Sequence, residues 1–115
     1  MILVWDTYAM WLFMLLAAHA LCDFSLQTDT MAREKNPAST TDLQQHVPWY
    51  YWLTAHALIH GGAVFWVLHD PRSAYAETVV HWVTDYAKCR GWIGIKTDQL
   101  IHVACKVAWV VLSQH

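Results

Sequence analysis

Four pairs of side chains able to ligate a metal ion recur at a single spacing: His19 and Asp23, His56 and His60, His81 and Asp85, and Asp98 and His102, each four residues apart. On an α-helix, residues four apart lie on one face about one turn from each other, so each pair aims two donors the same way. Imidazole and carboxylate donors suit Zn²⁺, with Mn²⁺ or Fe²⁺ as alternatives. Eight donors exceed the needs of one tetrahedral ion, which favours two. Asp23, Asp85 and Asp98 are the carboxylates able to bridge ions and are the candidate catalytic residues. His and Asp together make up 15 of the 115 residues, so random placement supplies about two such pairs. A further pair, Asp42 and His46, falls in a predicted loop and is attributed to chance. One pair on each predicted helix is not.

The elements that must position these donors are legible as four helices in one domain spanning residues 1–115, at about 3–29, 48–68, 71–90 and 97–112. Residues 2–22 are apolar apart from Asp6, Thr7 and His19, long enough to cross a hydrocarbon layer, which takes about 20 residues. The stretch from 30 to 46 holds Pro37 and a Ser39-Thr40-Thr41 run and reads as a connecting loop, with Thr41 and Gln44 suited to cap a short turn. Pro48 fits the first position of the second helix, and Gly61-Gly62 is tolerated where small residues let membrane helices approach. Asp70-Pro71 opens the third helix and Arg90-Gly91 stops it, while Thr97 is read as the cap of the fourth. Short connections predict an up-down-up-down four-helix transmembrane bundle. At ~1.5 Å per residue the four pairs then fall in one layer, roughly 6 to 16 Å in from one side. Ionisable groups at such depth call for a shared partner, and a divalent cation is a better one than neutral His–carboxylate hydrogen bonding alone.

Composition agrees with a membrane setting. The chain is 57% hydrophobic and 14% charged, against about 25% charged residues in an average soluble domain. The aromatic residues Trp5, Tyr8, Trp49, Tyr50, Tyr51 and Trp52 sit near predicted helix ends, where amphipathic rings settle at the headgroups. A small Trp-rich soluble core is the alternative. A net charge of −2 and the absence of a basic stripe argue against a nucleic-acid partner. Cys22, Cys89 and Cys105 are widely spaced in apolar stretches, which excludes a disulfide framework as the organising feature. Cys22, next to Asp23, is also a candidate soft donor. The N-terminus lacks the basic start of a secretory signal, so the first segment is read as a retained helix.

The set His19-x3-Asp23-Phe24-x-Leu26-Gln27-Thr28, Met31-Ala32-x2-Lys35, His56-Ala57-Leu58-Ile59-His60, His81-x3-Asp85-x2-Lys88 and Asp98-Gln99-x2-His102 resembles small bacterial and phage integral membrane proteins grouped as domain-of-unknown-function family 3307. A looser similarity is to membrane-bound metal-dependent hydrolases of bacterial inner membranes and to the helical zinc phospholipase C and nuclease fold. That second resemblance implies phosphoester hydrolysis at a zinc cluster. The chain departs from the zinc nucleases in carrying Met1 where they place an N-terminal Trp ligand, which puts a third zinc in doubt.

The expected function is therefore a membrane-embedded metal-dependent hydrolase of a small anionic, phosphoester or lipid-linked substrate. A metal-bound water whose pKa falls toward ~7 would supply the nucleophile. Lys88, Arg90 and Lys96 lie at the mouth of the site, where cations attract such a substrate or merely mark the cytoplasmic side. Gln27, Lys88, Gln99 and Lys106 are candidates to hold a ligand or bind substrate, with Asp6 or Glu77 as a partner for Lys106. The excess of Lys and Arg on the site side places the site toward the cytoplasm of a multi-pass protein of the bacterial plasma membrane. Membrane lipid is the expected surrounding, and helices three and four, interrupted by charges, are compatible with a homo-oligomer. A di-iron redox protein, a non-enzymatic metal-binding or transport protein, and a phage membrane interaction protein remain as alternatives.

Overall fold

The computed structural model describes residues 4–114 and is all-helical. Its elements are α1 (Val4–Ala20), α2 (Asp29–Glu34), α3 (Asp42–His46), α4 (Trp49–Leu68), α5 (Pro71–Cys89) and α6 (Ile95–Leu112). The expected helix start at residue 3, the Met1 position and the Trp5 side chain lie outside the described residues.

The expected helix over 3–29 is two elements joined by a wide turn. α1 runs into a π-helical turn over Leu21–Ser25, in which Leu26 N donates to Leu21 O at 2.7 Å. Thr28 then starts α2, its hydroxyl accepting from Met31 N at 3.1 Å. The predicted loop also contains α3, which begins with the Thr41–Gln44 capping box foreseen from sequence. Pro48 is the residue before α4 rather than its first. α4 ends at His69, a left-handed residue whose N–H bonds Phe65 O at 2.7 Å. Asp70 caps α5 through Arg72 N, and Gly91, at φ 77°, takes the left-handed conformation that ends it. The cap of α6 is Gly94 and not Thr97, because the Gly94 carbonyl already accepts the first helical bond, from Asp98 N at 3.0 Å.

The four long helices close a ring, α1 against α4 and α6, and α5 against α4 and α6. α4 and α5 approach closely at Gly61, where an added Cβ would stand 1.9 Å from Thr78 Oγ1 and 2.9 Å from the Ala74 carbonyl oxygen. Gly61→Ala is accordingly expected to destabilise the protein by roughly 1–3 kcal/mol through overpacking. Gly62→Ala, which meets open space, should be neutral or slightly stabilising by helix propensity. Thermal unfolding in detergent separates the two; matching midpoints would rule out the close approach.

Burial runs opposite to that of a water-soluble domain. Among the described residues, six apolar side chains are buried against fourteen polar or charged ones. The apolar cluster of Leu15, Val64 and Val110 is confined to the end where α1 begins and α4 and α6 finish. Outward faces are apolar instead: Phe13, Leu58, Trp66, Tyr75, Val79, Val83, Leu100, Val107 and Val111 are all exposed. In α5, Ser73, Glu77, His81 and Asp85 point inward at four-residue steps while Tyr75, Val79 and Val83 point outward. In α6, Asp98, His102, Lys106 and Val110 do the same. Among the described residues one segment, Asp6–Ser25 near the N-terminus, is long and apolar enough by length and composition to cross a membrane, against the four spans expected from sequence.

Candidate metal centre

The helical spacing does what it promised. His19, Asp23, His56, His60, His81, Asp85, Asp98 and His102 are all buried, none more than 6% exposed, and they face one another across the ring. Asp23, brought inward by the π turn, is the hub. Its Oδ1 lies 3.2 Å from His56 Nε2, 3.1 Å from His60 Nε2 and 3.8 Å from His81 Nε2, and its Oδ2 lies 3.5 Å from His19 Nε2. The His60 and His81 rings stack at 3.7 Å between centroids, and His81 and His102 at 4.3 Å. The close α4–α5 contact at Gly61 places the first of these pairs.

This donor set fits a metal ion. Asp23, His56, His60 and His81 offer four atoms all within 4.8 Å of one another. Ligands at ~2.0–2.1 Å from a tetrahedral zinc stand about 3.3 Å apart, and the spacings around Asp23 Oδ1 bracket that distance. Hydrogen bonding alone leaves the cluster incomplete. His81 is fully buried with neither ring nitrogen bonded, and His19 Nδ1, His102 Nδ1, Asp85 Oδ1 and Asp98 Oδ1 also have no hydrogen-bond partner. Buried polar atoms are nearly always satisfied, so a concentration of unbonded ring nitrogens and carboxylate oxygens is compatible with a bound cation.

The remaining predicted residues divide by position. Gln99 is central: its Nε2 donates to Asp23 Oδ2 at 2.9 Å and to Asp98 Oδ2 at 3.0 Å, and its Oε1 is 3.0 Å from His19 Nε2. Asp98 also lies 3.3 Å from His102 Nε2. Asp85 stands to one side. Its Oδ2 accepts from Lys35 Nζ at 2.6 Å and is 3.6 Å from His56, while Lys88 Nζ lies 3.3 Å from its Oδ1. Lys88, 24% exposed, also reaches within 3.7 Å of Asp98 and is the partly open cation at the mouth. Gln27 does not touch the Asp23 carboxylate; it donates to the Asp23 carbonyl at 3.2 Å and accepts from Lys35 Nζ. Lys106 bonds Glu77, one of the two partners expected for it, and Trp109 Nε1 donates to the other Glu77 oxygen at 3.0 Å. Arg90 leaves the mouth to lie over the Tyr86 and Trp92 rings. Cys22 is buried but joins none of the donor groups.

Two buried charged groups come from the segment expected as a connecting loop. Lys35 is 2% exposed and reaches the site from the end of α2; Glu34, 1% exposed, accepts from the Thr41 hydroxyl and from Arg33. The Thr41 hydroxyl, with Arg33, holds the Glu34 carboxyl below the ordinary carboxylate range. That bond closes the α2–α3 segment over the site end, and Gln44 Nε2 adds bonds to the Glu34 and Asn36 carbonyls. The Met31-Ala32-x2-Lys35 string was the available signal for Lys35.

A family model described as "Protein of unknown function (DUF3307)" matches residues 11–115. No curated protein and no solved structure matches the chain.

Proposed function

We propose that this chain, which belongs to the DUF3307 family of proteins of unknown function, is a membrane-embedded, metal-dependent hydrolase acting on a phosphoester or related anionic substrate. The observation that carries the reading is His81: a wholly buried imidazole with both nitrogens unbonded, facing Asp23 and stacked between His60 and His102. Three of the four donors Asp23, His56, His60 and His81 would suffice to hold a divalent cation with one position left open for water. When bound, it brings water toward a pKa of ~7 and supplies a nucleophile at neutral pH. Gln99 fixes the Asp23 carboxylate and the His19 ring by its two amide ends. Asp98, paired to His102 and beside the mouth, is placed to hold the proton removed from water. Lys88 faces the opening and attracts an anion toward it.

The membrane part of the reading is supported by the distribution of charge. Among the described residues every exposed charged side chain lies in a loop, in a short helix or in the first turn of a long one, and the bodies of the long helices expose apolar residues. Such an exterior matches lipid, and such an interior is how ionisable groups survive there. α4, α5 and α6 would span with α1 in alternating directions. Their mean hydropathy is depressed by the very donors that turn inward, and in α4 also by the Trp49-Tyr50-Tyr51-Trp52 start at an interface. Exposed Arg33, Arg90 and Lys96 lie at the site end, with Arg72 at the other held by Asp70, so the site would face the cytoplasm of a bacterial plasma membrane.

The test is metal analysis of protein purified in detergent without chelator, with hydrolysis of bis(p-nitrophenyl) phosphate assayed before and after chelation. Bound zinc or manganese, and activity that chelation removes and the metal restores, is the expected result. Protein that binds no divalent cation, or that carries iron with oxygen-dependent absorption and no hydrolysis, overturns the proposal.

A further inference from the structure

The charges set among the donors bear on how many ions the centre holds, an inference that rests on the metal-centre reading above. Asp23, Glu77, Asp85 and Asp98 are the buried carboxylates among the donors; the fifth buried carboxylate, Glu34, is balanced by Arg33 in the α2–α3 segment. Three ammonium groups are set against them: Lys106 on Glu77, Lys35 on Asp85, and Lys88 between Asp85 and Asp98. With neutral imidazoles the interior therefore carries one net negative charge. One divalent cation turns this into one net positive charge, which a single bound monoanion cancels. Two divalent cations would leave three positive charges in a low-dielectric interior, where unbalanced charge is strongly disfavoured.

The geometry agrees with the charge count. Two of the alternative donor groups, His19-His60-Glu77 and Glu77-His81-His102, need Glu77. Both Glu77 oxygens are already taken, one by Lys106 Nζ and the other by Trp109 Nε1. The third alternative, Asp23-Asp98-His102, shares Asp23 with the first site. Gln99 Nε2 already bonds the facing oxygens of Asp23 and Asp98, at 2.9 and 3.0 Å. A cation bridging those two carboxylates would have to displace that amide.

We infer that the centre is mononuclear, that the Lys106 ammonium stands in for a second metal ion, and that the ligand it accepts is a singly charged anion. The matching substrate class is a phosphodiester; a doubly charged phosphomonoester overcompensates the centre. The eight donors that pointed to two ions are thus split between one ion and a set of lysine-neutralised carboxylates.

Chelator-stripped full-length protein in detergent is titrated with Zn²⁺ and the ions counted by native mass spectrometry. Wild type is expected to take one ion. Two ions would overturn the inference and leave the metal-centre reading standing, whereas none would overturn both. Lys106→Met frees Glu77 and should admit a second ion; a count that stays at one removes Lys106 from its assigned role. The Glu77→Gln/Lys106→Met double variant leaves the net charge of the interior unchanged and should fold and bind one ion, so a double variant that binds none would make Glu77 a ligand of the only ion and defeat the assignment. Dimethyl phosphate should bind the zinc-loaded wild type about tenfold more tightly than methyl phosphate dianion. Equal or reversed affinities exclude the monoanion rule.

Discussion

Asp23→Asn is expected to lose bound divalent metal and hydrolytic activity together while keeping a helical fold. Asn preserves the side-chain volume and one carbonyl oxygen, but it removes the anionic oxygen around which the His56, His60 and His81 Nε2 atoms gather at 3.1 to 3.8 Å. Changes to residues that merely support a ligand lower metal affinity about 10- to 100-fold, so loss of a ligand charge should exceed that range. Metal binding is linked to folding: free metal at 100 times its dissociation constant stabilises the native state by about 2.7 kcal/mol. Wild-type melting temperature should therefore rise with added Zn²⁺, and that rise should be absent in Asp23→Asn. A variant that still melts higher with zinc would show that the ion, if bound, is held elsewhere.

The second large effect is expected at the edge of the centre, on stability. Lys35→Met should destabilise the protein by about 3 kcal/mol, the lower end of the range for breaking a buried ion pair by removing one partner. The lower end applies because Lys88 still reaches Asp85 at 3.3 Å. Combining Lys35→Met with Asp85→Asn should recover most of the loss, since the carboxylate that lost its ammonium is then neutral and Lys88 keeps Asp98. Denaturation midpoints of wild type, both single variants and the double variant form the thermodynamic cycle that checks this. Additive losses would mean that Lys35 and Asp85 do not act as a pair. Because Lys35 also ties the α2–α3 segment to the site through Gln27, limited proteolysis between Asn36 and Thr41 should accelerate in the single lysine variant.

What sequence could reveal here follows from which signals are periodic. The four His/Asp pairs were visible because a four-residue repeat maps onto one helix face, and a common depth followed from counting residues to the helix ends. Gln99 and Lys106 were legible as neighbours of ligands, one beside Asp98 and one a turn beyond His102. Lys35 and Glu34 were not, because charges in a stretch rich in Pro, Ser and Thr normally face water, and only the fold brings that stretch back over the bundle. The cap of α6 was misplaced by three residues since Gly94 caps without a side chain and leaves no chemical trace, unlike Thr41. Hydropathy does not mark α5 or α6 as spans. Averaging along a helix adds an apolar outer face to a charged inner one, and the sum resembles an ordinary soluble segment.

The π turn at Leu21–Ser25 makes the gene unusually sensitive to length at one place. A turn of five residues per hydrogen-bonded loop holds one amino acid more than the regular helix would need. Loss of the codon for Leu21 or Cys22 would let the ladder close normally and rotate everything upstream by about 100° relative to Asp23. His19 would swing off the interior while Asp23 stayed, so a deletion that spared every donor would still take the site apart.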